Sequence, residues 1–237
     1  MYQFDSRVRY SEVNSRQQLM ISSMLDYLQD CCTFQSEELG LGVDYLAREQ
    51  VAWVLSSWEI EIIRYPKMGE KIHVGTWPSD FKGFYGSRNF LIKGENEEVL
   101  AKANSLWVFM DTEKMRPTRV NDTFVETYGK ILEPALEGNW SDRKISVPEE
   151  QTAMEPVQVA KFFIDTNHHM NNGKYVLVAE EYLPEDFNVG RIKVEYKKAA
   201  VLGDVLYPAV TVEEDVVTVT LADETGRAYA VVQFMKQ

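Results

Sequence analysis

Cysteine is scarce in this chain. Of 237 residues only two are cysteines, Cys31 and Cys32, and they are adjacent. Bridging neighbours is strained, and no second pair exists to build a disulfide framework or a zinc site. Two thiols in a reducing compartment is the expectation. Positive charge is also short. The chain has 25 basic against 37 acidic residues, a formal charge of −12. Non-specific nucleic-acid binding and polybasic membrane contacts both need the opposite balance. No apolar run approaches the roughly 18–20 residues that span a bilayer. The first residues, Met1-Tyr-Gln-Phe-Asp-Ser-Arg, lack the basic-then-apolar order of a signal peptide. The expectation is a cytoplasmic protein without stable membrane insertion, and no cofactor or metal is called for. What is present is ample core material, with 45% apolar and 12% aromatic residues.

The apolar spacing repeats one order twice. Residues 4–10 alternate as a strand does, and Ser15 to Phe34 carries Leu19, Met20, Met24, Leu25, Leu28 and Cys32 at helical spacing. Strands are expected over 52–65, 70–77, 84–93 and 98–110. In the second half a strand is expected over Val157–Ile164 and a helix from Asn171 to Leu183, ended by Pro184. Further strands are expected over 189–198, 204–212, 216–222 and 227–235. Gly69-Glu70-Lys71-Ile72 after Tyr65 matches Gly203-Asp204-Val205-Leu206 after Tyr196, which indicates an internal duplication. The expected boundaries are 1–112 and 151–237. A polar connecting segment lies over 113–150, with a short helix capped by Asn121 and ended by Gly129. One helix against an antiparallel sheet, twice, is an α+β architecture.

Only three histidines occur, His73, His168 and His169. Two stand in Asp165-Thr-Asn167-His168-His169-Met-Asn171-Asn172, between an apolar stretch and a helix. Polar groups this dense are costly to bury without partners. On an extended chain Asp165, Asn167 and His169 share one face. A carboxylate, an amide and an imidazole can together hold and activate a water. The helix that starts at Asn171 and Asn172 offers backbone N–H groups for an oxyanion. His73 is expected on the solvent side of its strand, and His168 facing away from His169.

The run Asp165-x-Asn167-x-His169-x-Asn171-Asn172, with Tyr175, Glu181 and Leu183-Pro184 after it, resembles the signature of acyl-acyl carrier protein thioesterases. Trp53-Val54-Leu55, Ile63-Arg64-Tyr65-Pro66, Gly69-Glu70, Thr76-Trp77, Met115-Arg116-Pro117 and Val194-Glu195-Tyr196-Lys197-Lys198 are similar to that family as well. The resemblance spans nearly the whole chain. It implies a double hotdog fold, each half a long helix wrapped by an antiparallel sheet. It further implies hydrolysis of fatty acyl thioesters of acyl carrier protein, with the acyl pocket in the N-terminal half and catalysis in the C-terminal half. Carried over by motif, Asp165, Asn167 and His169 are the catalytic candidates. Plant members continue with a Glu and a Cys, each proposed as catalytic, where this chain has Ala199 and Ala200. A thiolate mechanism on that cysteine is excluded here, and Glu195 is the carboxylate considered as a replacement. Met20, Met24, Leu28, Trp53 and Trp58 are candidates for lining the acyl pocket. Arg191, Lys193 and Lys197 form the basic cluster expected to dock the acidic carrier. Acyl-coenzyme A hydrolysis and a non-catalytic acyl-binding hotdog remain alternatives, as do a monomer and a homodimer.

Overall fold

The computed structural model describes residues 1–138, 140 and 143–237. The chain divides into two compact units, Met1–Ser56 with Ile62–Trp140, and Ser57–Glu61 with Ser141–Gln237. Residues 113–140 thus count with the first unit and 143–150 with the second, which also takes a short piece of an N-terminal strand.

The first unit contains β1 (Tyr2–Arg7), α1 (Ile21–Glu38), α2 (Val43–Arg48), most of β2 (Val51–Ile62), β3 (Lys71–Lys82), β4 (Tyr85–Gly94), β5 (Val99–Asp111), β6 (Arg116–Pro117) and α3 (Asp122–Gly129). Its strands are ordered β1-β3-β4-β5-β2, with β6 on β5. Helix α1 packs on β1 and β3. Its helical spacing turns Ile21, Met24, Leu25, Leu28, Cys31 and Cys32 into the core. Met24 and Leu28 are essentially closed to solvent, and burying each is worth about 1.5–3 kcal/mol. The helix starts at Ile21 rather than Ser15, because residues 10–19 form a 3-10 turn and a second turn held by Asn14. The expected short helix is α3, and the Asn121 side chain caps it by accepting from the Phe124 N–H at 3.0 Å.

The second unit contains β7 (Thr152–Ala153), β8 (Val157–Gln158), α4 (Asn172–Glu180), β9 (Val189–Tyr196), β10 (Val205–Val212), β11 (Val216–Ala222) and β12 (Ala228–Lys236). Ser57–Glu61 of β2 pairs with β9, and β12, β11, β10 and β7 follow in order. Helix α4 packs on β11 and β12. The strand expected over Val157–Ile164 shortens to β8, since Phe163 and Ile164 donate their N–H groups to Ala160 and Lys161 in a 3-10 turn. Helix α4 stops at Glu180. Tyr182 and Leu183 then bond back in tight turns before Pro184, whose ring forbids a continued helix.

One backbone framework recurs in both units. The Val8 N–H donates to Glu70 C=O and Gly69 N–H to Val8 C=O, each at 2.9 Å. Val159, Asp204 and Gly203 make the same pair at 2.8 and 3.1 Å. Gly69 and Gly203 both have positive φ, +79° and +91°, which a residue with a side chain adopts only under strain. The sequence match of Gly69-Glu70 with Gly203-Asp204 is therefore structural. The match of Tyr65 with Tyr196 is not. Leu19 bonds Pro66 as Met170 bonds Ala200, so Tyr65 corresponds to Ala199.

Candidate functional site

The Asp165–His169 run is a tight turn, not an extended strand. Ile164 bridges Met170, Asp165 N–H donates to His169 C=O at 2.8 Å, and His168 takes the left-handed conformation at φ +62°. The single-face argument from alternate spacing therefore does not apply. What gathers the residues is the Asp165 carboxylate, whose Oδ1 accepts from the Asn167 N–H at 2.8 Å and the His169 N–H at 3.3 Å. An Asp folds its own backbone in this way because its oxygen reaches the N–H two residues on. Among the described residues, no hydrogen bond or ion pair to another protein side chain engages Asp165 Oδ2, the Asn167 amide or the His169 imidazole. Asn167 and His168 are exposed, and Asp165 and His169 half-buried.

The turn leads directly into α4. Asn171 is its cap, accepting from the Gly173 N–H at 2.9 Å, and Lys174 N–H donates to Asn171 C=O. At the helix start expected to face an oxyanion, the Asn171 N–H donates to Phe163 C=O at 2.8 Å, and the N–H groups of Gly173 and Lys174 are engaged by the cap itself. The positive end of the helix dipole still lies beside the turn. His169 also bridges Val201 in an antiparallel pairing, which sets Ala199 and Ala200 alongside the motif. Ala200 N–H donates to the Tyr175 hydroxyl at 2.8 Å. Burial, first of all, pushes the Tyr175 phenol up to about 12, so it stays neutral. Asp204 Oδ2 accepts from Val201 N–H at 3.0 Å and from the Tyr229 hydroxyl at 3.1 Å.

The same turn occurs without the chemistry in the first unit. Asn14 Oδ1 accepts from Arg16 N–H at 2.9 Å and Gln18 N–H at 3.1 Å, Val13 bridges Leu19, and Gln17 has φ +58°. Asn14, Arg16 and Gln18 stand where the second unit has Asp165, Asn167 and His169. This correspondence was readable from the two turn-then-helix segments, but Asn14-Ser-Arg-Gln-Gln contains no histidine to draw the eye.

Other expectations meet a different geometry. Glu195 faces away from α4. Its neighbours Val194 and Tyr196 point to the helix side, where Tyr196 donates to Asn172 C=O at 2.9 Å. Glu195 accepts from Ile145 N–H at 3.2 Å and pairs with Lys197 at 3.0 Å, so it does not replace the residue missing at Ala199. The basic cluster is internally neutralised. Arg191 lies 3.0 Å from Glu59 and 3.9 Å from Glu61, and Lys193, opposite Glu59 in the β2–β9 register, is 9% exposed. Lys193 is buried, so the expected docking cluster of Arg191, Lys193 and Lys197 loses that member, while Arg191 is half-buried beside Glu59 and Lys197, paired with Glu195, stays exposed.

Among the pocket candidates, Met24 and Leu28 share the buried face of α1, with Met20 at its cap position. Trp53 instead packs edge-on and tilted against Phe109 (4.7 Å), Phe124 (5.8 Å) and Phe81 (5.9 Å). Trp58 is buried in the second unit opposite Val194, on the face that carries α4. The two tryptophans thus belong to different cores. His73 sits half-buried on β3, 2.6 Å from Asp5 on β1. Both thiols are buried, and burial raises Cys31 to about 12 and Cys32 upward as well. Among the described residues, no helix is long and apolar enough to cross a membrane, and no group of three or more His, Cys, Asp or Glu is placed to hold a metal ion.

Comparison with known proteins gives one family over both halves. The sequence model of the acyl-ACP thioesterase N-terminal domain matches residues 1–128, and that of the C-terminal domain matches residues 146–233. The chain is 25% identical over 228 residues to the oleoyl-acyl carrier protein thioesterase 1 of Arabidopsis thaliana, covering 88% of this chain and 63% of that protein. It is 26% identical over 182 residues to the palmitoyl-acyl carrier protein thioesterase of Cuphea hookeriana, covering 71% of this chain and 43% of that protein. The chain therefore spans less than two thirds of the length of these plant proteins. In fold it is similar to an acyl-ACP thioesterase from Bacteroides thetaiotaomicron (TM-score 0.88, 20% identity, 99% of this chain and 97% of that one). It is similar in the same way to the 12:0-ACP thioesterase from Umbellularia californica (TM-score 0.87, 19% identity, 100% and 98%). With both domain models matched in order, and with two helix-on-sheet units in the hotdog arrangement, the chain belongs to the acyl-ACP thioesterase family.

Proposed function

We propose that the protein hydrolyses the thioester of fatty acyl-acyl carrier protein, releasing free fatty acid and carrier. The observation that carries this reading is the Asp165–His169 turn in front of α4. It presents an unengaged carboxylate oxygen, an amide and an imidazole in a chain whose two halves both match the family. Asp165 or His169 takes the proton of a water as it attacks the thioester carbonyl, and Asn167 orients the water or the carbonyl. Negative charge developing on the carbonyl oxygen is favoured by the start of α4 near Asn171 and Asn172. Both cysteines are buried with raised thiol pKa values, so neither supplies a thiolate nucleophile. The fatty acyl chain runs against the apolar face of α1, with Met24 and Leu28 as its wall.

The test is release of free thiol from acyl-carrier-protein substrates of several chain lengths by the purified protein, beside the matching coenzyme A thioesters. Carrier thioesters should be turned over with the higher kcat/KM. Equal or better turnover of the coenzyme A series overturns the carrier assignment, and no release from either overturns the hydrolase reading.

A further inference from the structure

We propose that Tyr175 is a positioning residue for His169, acting through the backbone of residues 199–201. The inference rests on the hydrolase reading for its kinetic arm, though its structural arm stands alone. Tyr175 lies on α4 and is buried, at 2% exposure. Its hydroxyl oxygen accepts the Ala200 N–H at 2.8 Å. The Ala200 carbonyl in turn accepts the Met170 N–H at 2.8 Å, and the next residue, Val201, bridges His169. The backbone on which the imidazole stands is therefore paired to a segment that the phenol pins to the helix.

The first unit shows what the pin replaces. There Leu19 N–H donates to Pro66 C=O at 2.9 Å and Gln18 bridges Lys67, the counterparts of Met170–Ala200 and His169–Val201. Pro66 has no N–H, and Met24 occupies the helix position that corresponds to Tyr175. The two copies differ in concert. Where the segment is proline, the helix supplies a thioether. Where it carries a buried N–H, the helix supplies an oxygen to receive it. A buried N–H left without an acceptor is strongly disfavoured, so loss of the phenol oxygen releases the segment to find another partner. The copy with the phenol is the copy with the imidazole, and the copy without it carries Gln18 at that place.

The experiment compares wild type with Tyr175→Phe, which removes only the oxygen, and with the double variant Tyr175→Met/Ala200→Pro, which copies the first unit. Two readouts are taken: the imidazole carbon–proton NMR signals, assignable because the chain has only three histidines, and kcat and KM for an acyl-pantetheine substrate. In Tyr175→Phe the His169 signals should shift or broaden while His73 stays in place, and kcat should fall at least tenfold with KM within about threefold. The double variant should return the His169 signals toward wild type and recover most of kcat. A folded Tyr175→Phe with unchanged His169 signals and unchanged kcat overturns the proposal. So does a folded double variant whose His169 signals stay displaced, since the effect then does not run through Ala200. Should Tyr175→Phe fail to fold, the double variant alone decides by the same signals. If wild type hydrolyses nothing, the functional reading falls while the NMR arm still tests the pinning.

Discussion

Replacing Asp165 by Asn and by Ala separates two roles of one side chain. Its Oδ1 holds the turn by accepting two backbone N–H groups, from Asn167 and His169. Its charge is what the proposed chemistry uses. Asn14 shows that an amide oxygen holds the same turn equally well, at 2.9 and 3.1 Å. Asp165→Ala loses both bonds. At about 1 kcal/mol each the cost is about 2 kcal/mol, a fall in Tm of roughly 4–8 °C for a chain of this size. Asp165→Asn keeps both acceptor bonds and should melt within about 2 °C of wild type. Both variants should lose about 10²-fold or more in kcat, the scale for removing a general acid–base group. Calorimetric melting and free-thiol release from an acyl-carrier substrate measure the two effects separately. If Asp165→Asn keeps wild-type kcat, the carboxylate only shapes the turn and His169 is left as the base. If Asp165→Ala melts with wild type, the turn does not depend on the side chain and the comparison with Asn14 is wrong.

Replacing Cys31 and Cys32 together by Ala should leave kcat within a fewfold, because both thiols are buried with pKa values pushed upward; loss of all activity in a folded double variant would place a thiol in the chemistry. Enlarging Met24 or Leu28 to Phe should shift the product profile toward shorter fatty acids, at about 0.8 kcal/mol for each methylene excluded from burial. An unchanged profile at intact rate, read by chromatography of released acids, removes α1 from the pocket. Glu70 is held below the usual carboxylate range, first by the hydrogen bonds from Arg64, at 2.6 and 3.0 Å. A depressed folded pKa contributes stability above the unfolded value of about 4.3 and loses it as pH falls through the folded one. Glu70→Gln should therefore lower Tm at pH 7, with the gap to wild type closing as pH drops below about 4; a gap independent of pH refutes the ion-pair account. Reversing Lys193 to Glu should unfold or strongly destabilise the protein rather than raise KM for the carrier, since a buried cation opposite Glu59 would become a second buried anion. A well-folded variant with only a KM effect would restore the docking expectation.

Periodicity alone determined much of this molecule. Apolar spacing placed β2, β4, β5 and β11 to within about three residues of their observed ends, whereas β3 was expected to stop at 77 and runs on to Lys82. The helical spacing of Met24, Leu25, Leu28 and Cys32 fixed the buried face of α1. The duplication was legible at Gly69-Glu70 and Gly203-Asp204, where turns at φ +79° and +91° favour glycine. The Asp165–His169 motif was legible as a chemical cluster. Its shape was not, since a side chain that bonds its own backbone overrides the alternation of an extended chain. Only the tertiary structure decided which charges were surface and which were partnered. Arg191, Lys193 and Lys197 read as a cation cluster because Glu59 and Glu61 are far away in sequence, and strand pairing brings those carboxylates opposite. The pairing of Tyr175 with Ala200 was equally hidden. A hydrogen bond between a helix and a distant loop leaves no periodic trace, and its meaning appears only when the first unit shows Met24 and Pro66 standing in the same places.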